Sequence, residues 1–210
     1  KFFDMKHSNN AARVRLWLRN KDDREGISKR TFNEQFHFKY IILNTFYTDV
    51  ETVMVKYDDL SKPFFREANP LGKVPGLIRQ DEKPVFESSV ILNYLEHKFS
   101  SEFTPSFVSE NCEDRQLMDL IVRCHDLYVA SPNSTQPGFA HSQGAMYLAP
   151  CETKFCSAER AMSDRSVRAK KINEIWNQLS WLNENAKPDT KYLVSDDVPT
   201  HADFTWYPTM

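Results

Sequence analysis

Apolar residues recur along this chain at two spacings, and the change between them divides it. Up to residue 99, short apolar runs that suit strands alternate with stripes at helical spacing. Lys1 to Met5 suits a first strand, and His7-Ser8-Asn9-Asn10 follows as a run of helix-capping residues. Val14, Trp17 and Leu18, at i, i+3, i+4, predict a helix from Ala11 to Arg19. Residues 50–57 are β-branched and partly alternating, which predicts a second strand. Ser61 to Ala68 reads as a short helix with a Ser cap and Pro63 in its first turn. Val74 to Arg79 and Pro84 to Phe86 flank a polar turn and predict a hairpin. Ile91, Leu92, Leu95 and Phe99 form one stripe of a helix from Ser88 to Phe99. The predicted order is β-α-β-α-β-β-α.

Residues 100–110 are rich in Ser, Pro and Glu and read as a linker between a first domain over 1–99 and a second over 111–210. Beyond the linker only helical spacing remains. Leu117, Leu120, Ile121, Cys124, Leu127 and Tyr128 repeat at that spacing. Residues 131–150 carry three prolines and two glycines and predict a long loop. A long helix is predicted from about Thr153 to Asn185, with Ile172, Ile175, Trp176, Leu179 and Leu182 on its inner face. Thr200-His201-Ala202-Asp203 is a capping-box pattern that opens a last helix. The chain stops at Met210, so the helical domain is expected to be truncated, with Phe204, Trp206 and Tyr207 short of packing partners. The chain does not begin with Met, and a fragment or a processed form is expected.

Composition narrows the function classes. The 210 residues are 40% hydrophobic and 27% charged, an ordinary soluble composition, and net charge is −2. Neither nucleic acid nor a membrane is indicated as a partner: the charge favours no polyanion, and no apolar run approaches the ~20 residues that span a bilayer. No secretory signal is visible, and a cytoplasmic location is expected. Cys112, Cys124, Cys151 and Cys156 make no C-x-x-C, and Cys151 and Cys156 have no nearby histidine at metal-ligand spacing, so neither a dithiol nor a zinc site is expected.

The chemistry sits in the first domain. Asn69-Pro70-Leu71-Gly72-Lys73-Val74-Pro75, followed by Phe86-Glu87-Ser88-Ser89-Val90-Ile91-Leu92-Asn93-Tyr94-Leu95, resembles the glutathione-binding signature N-P-x-G-K-V-P…E-S-x-x-I-x-x-Y-L of cytosolic glutathione S-transferases. Ser8 to Arg15 is similar to that family's S-P-N-A-x-R-V-R, with Asn9 in place of the common proline. Thr200 to Phe204 is similar to its T-x-A-D-F segment. The resemblance implies an α/β thioredoxin-like domain followed by an all-α helical domain. Against that pattern residues 26–48 are an atypical insertion, and Arg30 to Thr48 is aromatic-rich without periodicity. Such an insertion is functional, disordered or a gene-model error. We expect it to be mobile and dispensable.

The resemblance also assigns roles. Pro75 is expected to be cis, with the N–H and C=O of Val74 free to pair with the backbone of glutathione. Ser88, at a helix start, would receive the γ-glutamyl carboxylate, and Glu87 the ammonium. Lys73 would face the glycine carboxylate. Ser8 would activate the thiol as the catalytic residue; the alternative is that it only caps a helix. Leu120, Cys124 and Tyr128 either line a site for a hydrophobic electrophile or are simple core. The implied activity is conjugation of glutathione, the co-substrate, to hydrophobic electrophiles in detoxification by a homodimer. The alternatives are a non-catalytic interaction module and a glutathione-dependent reductase or thiol transferase. The last would need a cysteine where Ser8 stands.

Overall fold

The computed structural model describes residues 1–24, 50–100, 106–130 and 165–210. The insertion expected at 26–48, the loop expected at 131–150 and the first turns of the expected long helix lie outside the described residues. The chain divides into two compact units, Lys1–Val108 and Ser109–Thr209.

The first unit runs β1 (Phe2–Asp4), α1 (Asn9–Arg24), β2 (Thr52–Met54), a 3₁₀ turn (Tyr57–Ser61), α2 (Pro63–Ala68), β3 (Gly76–Ile78), β4 (Pro84–Phe86) and α3 (Ser88–Phe99). The four strands form one sheet in the order β2-β1-β3-β4. β1 pairs parallel with β2, while β3 is antiparallel to both β1 and β4. This is a thioredoxin-like domain, with its elements in the order the sequence pattern predicts.

Alternation along β1 sends neighbouring side chains to opposite faces. Phe3 joins Met5, Val55, Phe65 and Ala68 in one buried cluster, meeting the Phe65 ring edge-on at 5.8 Å between centroids. Phe2 and Asp4, also buried, point to the other face. There Trp17 and Lys21 of α1 lie beside α3. Lys21 Nζ sits 3.2 Å from Glu96 Oε1 and 4.7 Å from the centre of the Phe107 ring. Glu96 also accepts from Trp17 Nε1, Ser100 Oγ and the Phe107 amide. A charged pair this deeply buried is tolerated because both carboxylate oxygens accept hydrogen bonds, Oε1 from Lys21, Ser100 and Phe107 and Oε2 from Trp17.

Two boundaries differ from the sequence expectation. α1 extends past Arg19 to Arg24, because Lys21 is held inside by Glu96 although the local pattern has turned polar. α2 is preceded by Lys62 rather than Ser61, because Asp59 closes the 3₁₀ turn first by accepting from the Lys56 amide at 2.9 Å. Pro63 then fixes the first helical φ.

The second unit contains α4 (Cys112–Cys124), a π-helical continuation (His125–Ala130), α5 (Arg165–Asn185), α6 (His201–Trp206) and a 3₁₀ turn (Tyr207–Thr209). Asn111 caps α4 by accepting from the Asp114 amide at 2.9 Å. The capping box at α6 forms: Asp203 Oδ2 accepts from the Thr200 amide at 2.7 Å, and its other oxygen from the Leu193 amide at 2.9 Å. Trp206 is buried and donates from Nε1 to the Ile121 carbonyl at 3.2 Å, which locks α6 onto α4.

Three expectations are corrected here. Phe204 and Trp206 are buried, leaving only Tyr207 of that trio exposed, because α4 supplies their packing. In α5, Leu182 is buried, but Ile172 and Trp176 are exposed. In α4 and its continuation the buried stripe is Met118, Ile121, His125 and Val129, so the core-facing side is rotated from the one predicted. A polar histidine in that stripe hid it from an apolar count.

Candidate functional site

Strand register brings three loops to one edge of the sheet. Phe3 lies opposite Gly76, so the end of β1 abuts the start of β3. Gly76 also lies opposite Phe86, so the end of β4 abuts the same place. Ser8 follows β1, Val74-Pro75 precedes β3, and Glu87-Ser88 follows β4. The sheet therefore collects Ser8, Lys73, Val74, Pro75, Glu87 and Ser88 from segments far apart in sequence.

The Val74-Pro75 peptide bond is cis. Val74 is half-buried, and its main-chain N–H and C=O make no hydrogen bond to the described residues. Its side chain packs on the cluster around Phe3 and Phe65. Lys73 is exposed. The turn is built by Asn69, a residue whose structural part the sequence reading passed over. Its buried amide donates to the Lys73 carbonyl at 2.6 Å and to the Pro75 carbonyl at 3.3 Å, and its oxygen accepts from the Leu71 amide at 3.0 Å. Gly72 is favoured in the same turn because its φ is +65°, a conformation that L side chains rarely adopt. The signal for both was the Asn-Pro-x-Gly turn chemistry itself.

α3 begins unusually. Glu87 occupies the cap position with φ +66° and ψ 117°, and its side chain makes no capping bond. Such a backbone costs of order 1–3 kcal/mol in a non-glycine residue. Ser88 is the first helical residue rather than the cap, and it is buried. The amides of Ser88, Ser89 and Val90 have no partner among the described residues. The result is an open helix N-terminus with an exposed carboxylate beside it.

Ser8 begins α1 differently. Its Oγ accepts from the Ala11 amide at 3.2 Å and its carbonyl from the Ala12 amide at 2.8 Å. The cap role is thus real, and among the described residues the hydroxyl hydrogen has no acceptor.

Leu120, Cys124 and Tyr128 lie in the second unit at successive i+4 positions. Leu120 and Tyr128 are exposed, so they are not core. Burial pushes the Cys124 thiol above its ordinary range, which keeps it protonated. A cavity of about 230 Å³ in the first unit, lined by Leu77, Arg79, Tyr94, Lys98 and Phe99 among others, includes none of these residues. Among the described residues no group of His, Cys, Asp and Glu is placed to hold a metal, and no helix is long and apolar enough to cross a membrane.

Residues 32–97 match the family model for the N-terminal domain of glutathione S-transferases. Solved structures share the fold over 99% of this chain. Human glutathione transferase theta-2, solved in complex with glutathione and an unknown ligand, is similar at 18% identity with a TM-score of 0.68, 69% of that chain being covered. A glutathione S-transferase domain-containing protein of Marinobacter aquaeolei is similar at 18% identity and a TM-score of 0.63, with 83% covered. The nitrogen regulation fragment of the yeast prion protein Ure2p is similar at 19% identity and a TM-score of 0.63, with 79% covered; Ure2p has also been solved in complex with glutathione. No curated protein sequence matches the chain. The chain is a two-unit protein with a thioredoxin-like first domain. Over residues 32–97 it matches the N-terminal domain of glutathione S-transferases, and over 99% of its length it shares the fold of solved glutathione S-transferases.

Proposed function

We propose that this protein binds glutathione and transfers it, as the thiolate, to hydrophobic electrophiles. The observation that carries the reading is the main chain of Val74, unpaired among the described residues, beside an α3 N-terminus whose first amides likewise have no described partner, with Ser8 at the same sheet edge. Val74 would pair with the tripeptide backbone as a one-residue strand. The Ser88 hydroxyl and the free amides after it would take the γ-glutamyl carboxylate, and Glu87 the ammonium. Lys73 would meet the glycine carboxylate.

Thiol activation then needs little. A free cysteine thiol titrates near ~8.5, and lowering it by ~2 units requires roughly 2.7 kcal/mol of thiolate preference. A hydroxyl donor to an anion supplies about 1.5–3 kcal/mol, and a helix N-terminus adds a few tenths to ~2. Ser8 provides both at once. The electrophile would lie against Leu120, Cys124 and Tyr128: Leu120 and Tyr128 expose apolar surface that suits it, and the part-buried Cys124 thiol, held protonated, does not compete as a nucleophile. The protein would work as a cytoplasmic homodimer in detoxification.

A second reading, a non-catalytic regulatory module, is favoured by the likeness to the Ure2p nitrogen regulation fragment. A thiol transferase is disfavoured because the first cysteine in the chain is Cys112. Calorimetry with glutathione followed by a chlorodinitrobenzene conjugation assay separates the cases. Binding with turnover is the expected result. Binding without turnover would favour the module, and no binding would remove the functional reading altogether.

A further inference from the structure

The loop that delivers Ser8 is held from outside the site. Asp4 ends β1, is 1% exposed and is fixed by the sheet. Arg15, two turns into α1, reaches it with Nη1 at 2.6 Å from Oδ1. The same guanidinium leans on the loop between them, with Nη1 3.4 Å from the Met5 carbonyl and Nη2 3.4 Å from the Lys6 carbonyl. The Met5 carbonyl is also the acceptor for the Ser8 amide, at 3.0 Å. One planar cation therefore joins the sheet, the helix and both carbonyls of the turn that sets the height of Ser8.

We infer that Asp4 and Arg15 are positioning residues for thiol activation: they hold the Ser8 hydroxyl where the glutathione sulfur arrives, without touching the substrate. This rests on the functional reading above. The guanidinium is suited to the task because its fork can serve the carboxylate and two carbonyls at once. A lysine at position 15 would keep the charge opposite Asp4 but, as a point donor, would release the loop. A hydroxyl displaced by even ~1 Å from the reacting sulfur loses much of its effect on rate. Binding, by contrast, rests on Val74, Glu87 and Ser88, which lie on other loops.

The test is Arg15→Lys, with Asp4→Asn as a second variant. In folded Arg15→Lys, the thiolate absorbance of bound glutathione, titrated against pH, should move toward that of free glutathione. Near neutral pH the thiolate fraction and kcat should each fall about tenfold, while the KM for glutathione changes less than about twofold. Hydrogen exchange at the Ser8 amide should speed up by about tenfold or more, with the middle of α1 unchanged. Intact glutathione binding with superimposable thiol titrations would overturn the positioning role alone, as would unchanged exchange at Ser8. A wild type that binds no glutathione would overturn the functional reading and this role together. Should Asp4→Asn not fold, Arg15→Lys, which leaves no buried carboxylate unpaired, carries the test by itself.

Discussion

Two helices start at the same edge of the sheet, and they start in opposite ways. α1 is closed: Ser8 caps it, and the turn before it is pinned by Arg15. α3 is open: Glu87 stands at the cap position in a strained conformation, offers no cap, and leaves three amides without a described partner. A helix that served only the fold would gain from a cap at both places. On the function proposed above, the difference separates two tasks: the closed start would present a single donor in a fixed place, and the open start would receive a carboxylate.

The contrast depends on both helices being held rigidly, and the largest effect should come from removing what holds them. Glu96→Ala strands the buried Lys21 charge between α1 and α3. Unfolding free energy should drop by about 3–5 kcal/mol in chemical denaturation. A loss below about 1 kcal/mol would mean that the helices do not depend on this pair.

Opening and closing the two starts comes next. Ser88→Ala should weaken glutathione binding by about 1–3 kcal/mol in calorimetry. It should hardly change the melting temperature, because Ser88 is not a cap. A stability loss without a binding loss would reverse the roles assigned to the two serines. Ser8→Ala should do the converse, lowering stability by about 0.5–2 kcal/mol as a lost cap. Glutathione affinity should stay near wild type while the bound thiol titrates higher. Identical thiol titrations would leave Ser8 as a cap only.

Glu87→Gly probes the strain directly. Glycine accepts a φ of +66° freely, so stability should rise by up to about 1 kcal/mol. Glutathione binding should weaken at the same time. A gain in both would show that the strained carboxylate is not there for the ligand.

The smallest effect belongs to a third helix start. Asp59, before α2, is held below its ordinary carboxylate range by the hydrogen bond from Lys62, then by the Lys56 amide. A lowered folded value means that its contribution is present above the unfolded carboxylate range and fades as pH falls through the folded one. Asp59→Asn should flatten that acid-side decline of the melting temperature slightly. Identical pH profiles for both proteins would show that this exposed cap contributes nothing measurable.

Local chemistry was legible wherever a residue needs only its neighbours. The bounds of α3, the hairpin of β3 and β4, and the capping box at Thr200 follow from short-range pattern. The cis bond at Pro75 followed from the family motif rather than from pattern, and it is present. The burial of Lys21 was not legible, since a lysine in a polar stretch reads as solvated until Glu96, 75 positions away, is placed beside it. Nor was the helix face turned inward in α4 and α5. Helical spacing puts Ile172 and Trp176 on one side, and Met118 and His125 on another, without saying which side meets the rest of the chain. The sequence alone determined the elements, their order and the motif residues, because backbone propensity, turn chemistry and capping act within a few residues. Tertiary structure decided that three distant loops share one sheet edge, that α1 starts closed and α3 open, and that Arg15 reaches Asp4. Those outcomes depend on strand register and on buried charge finding a partner, and neither is a property of any short stretch of chain.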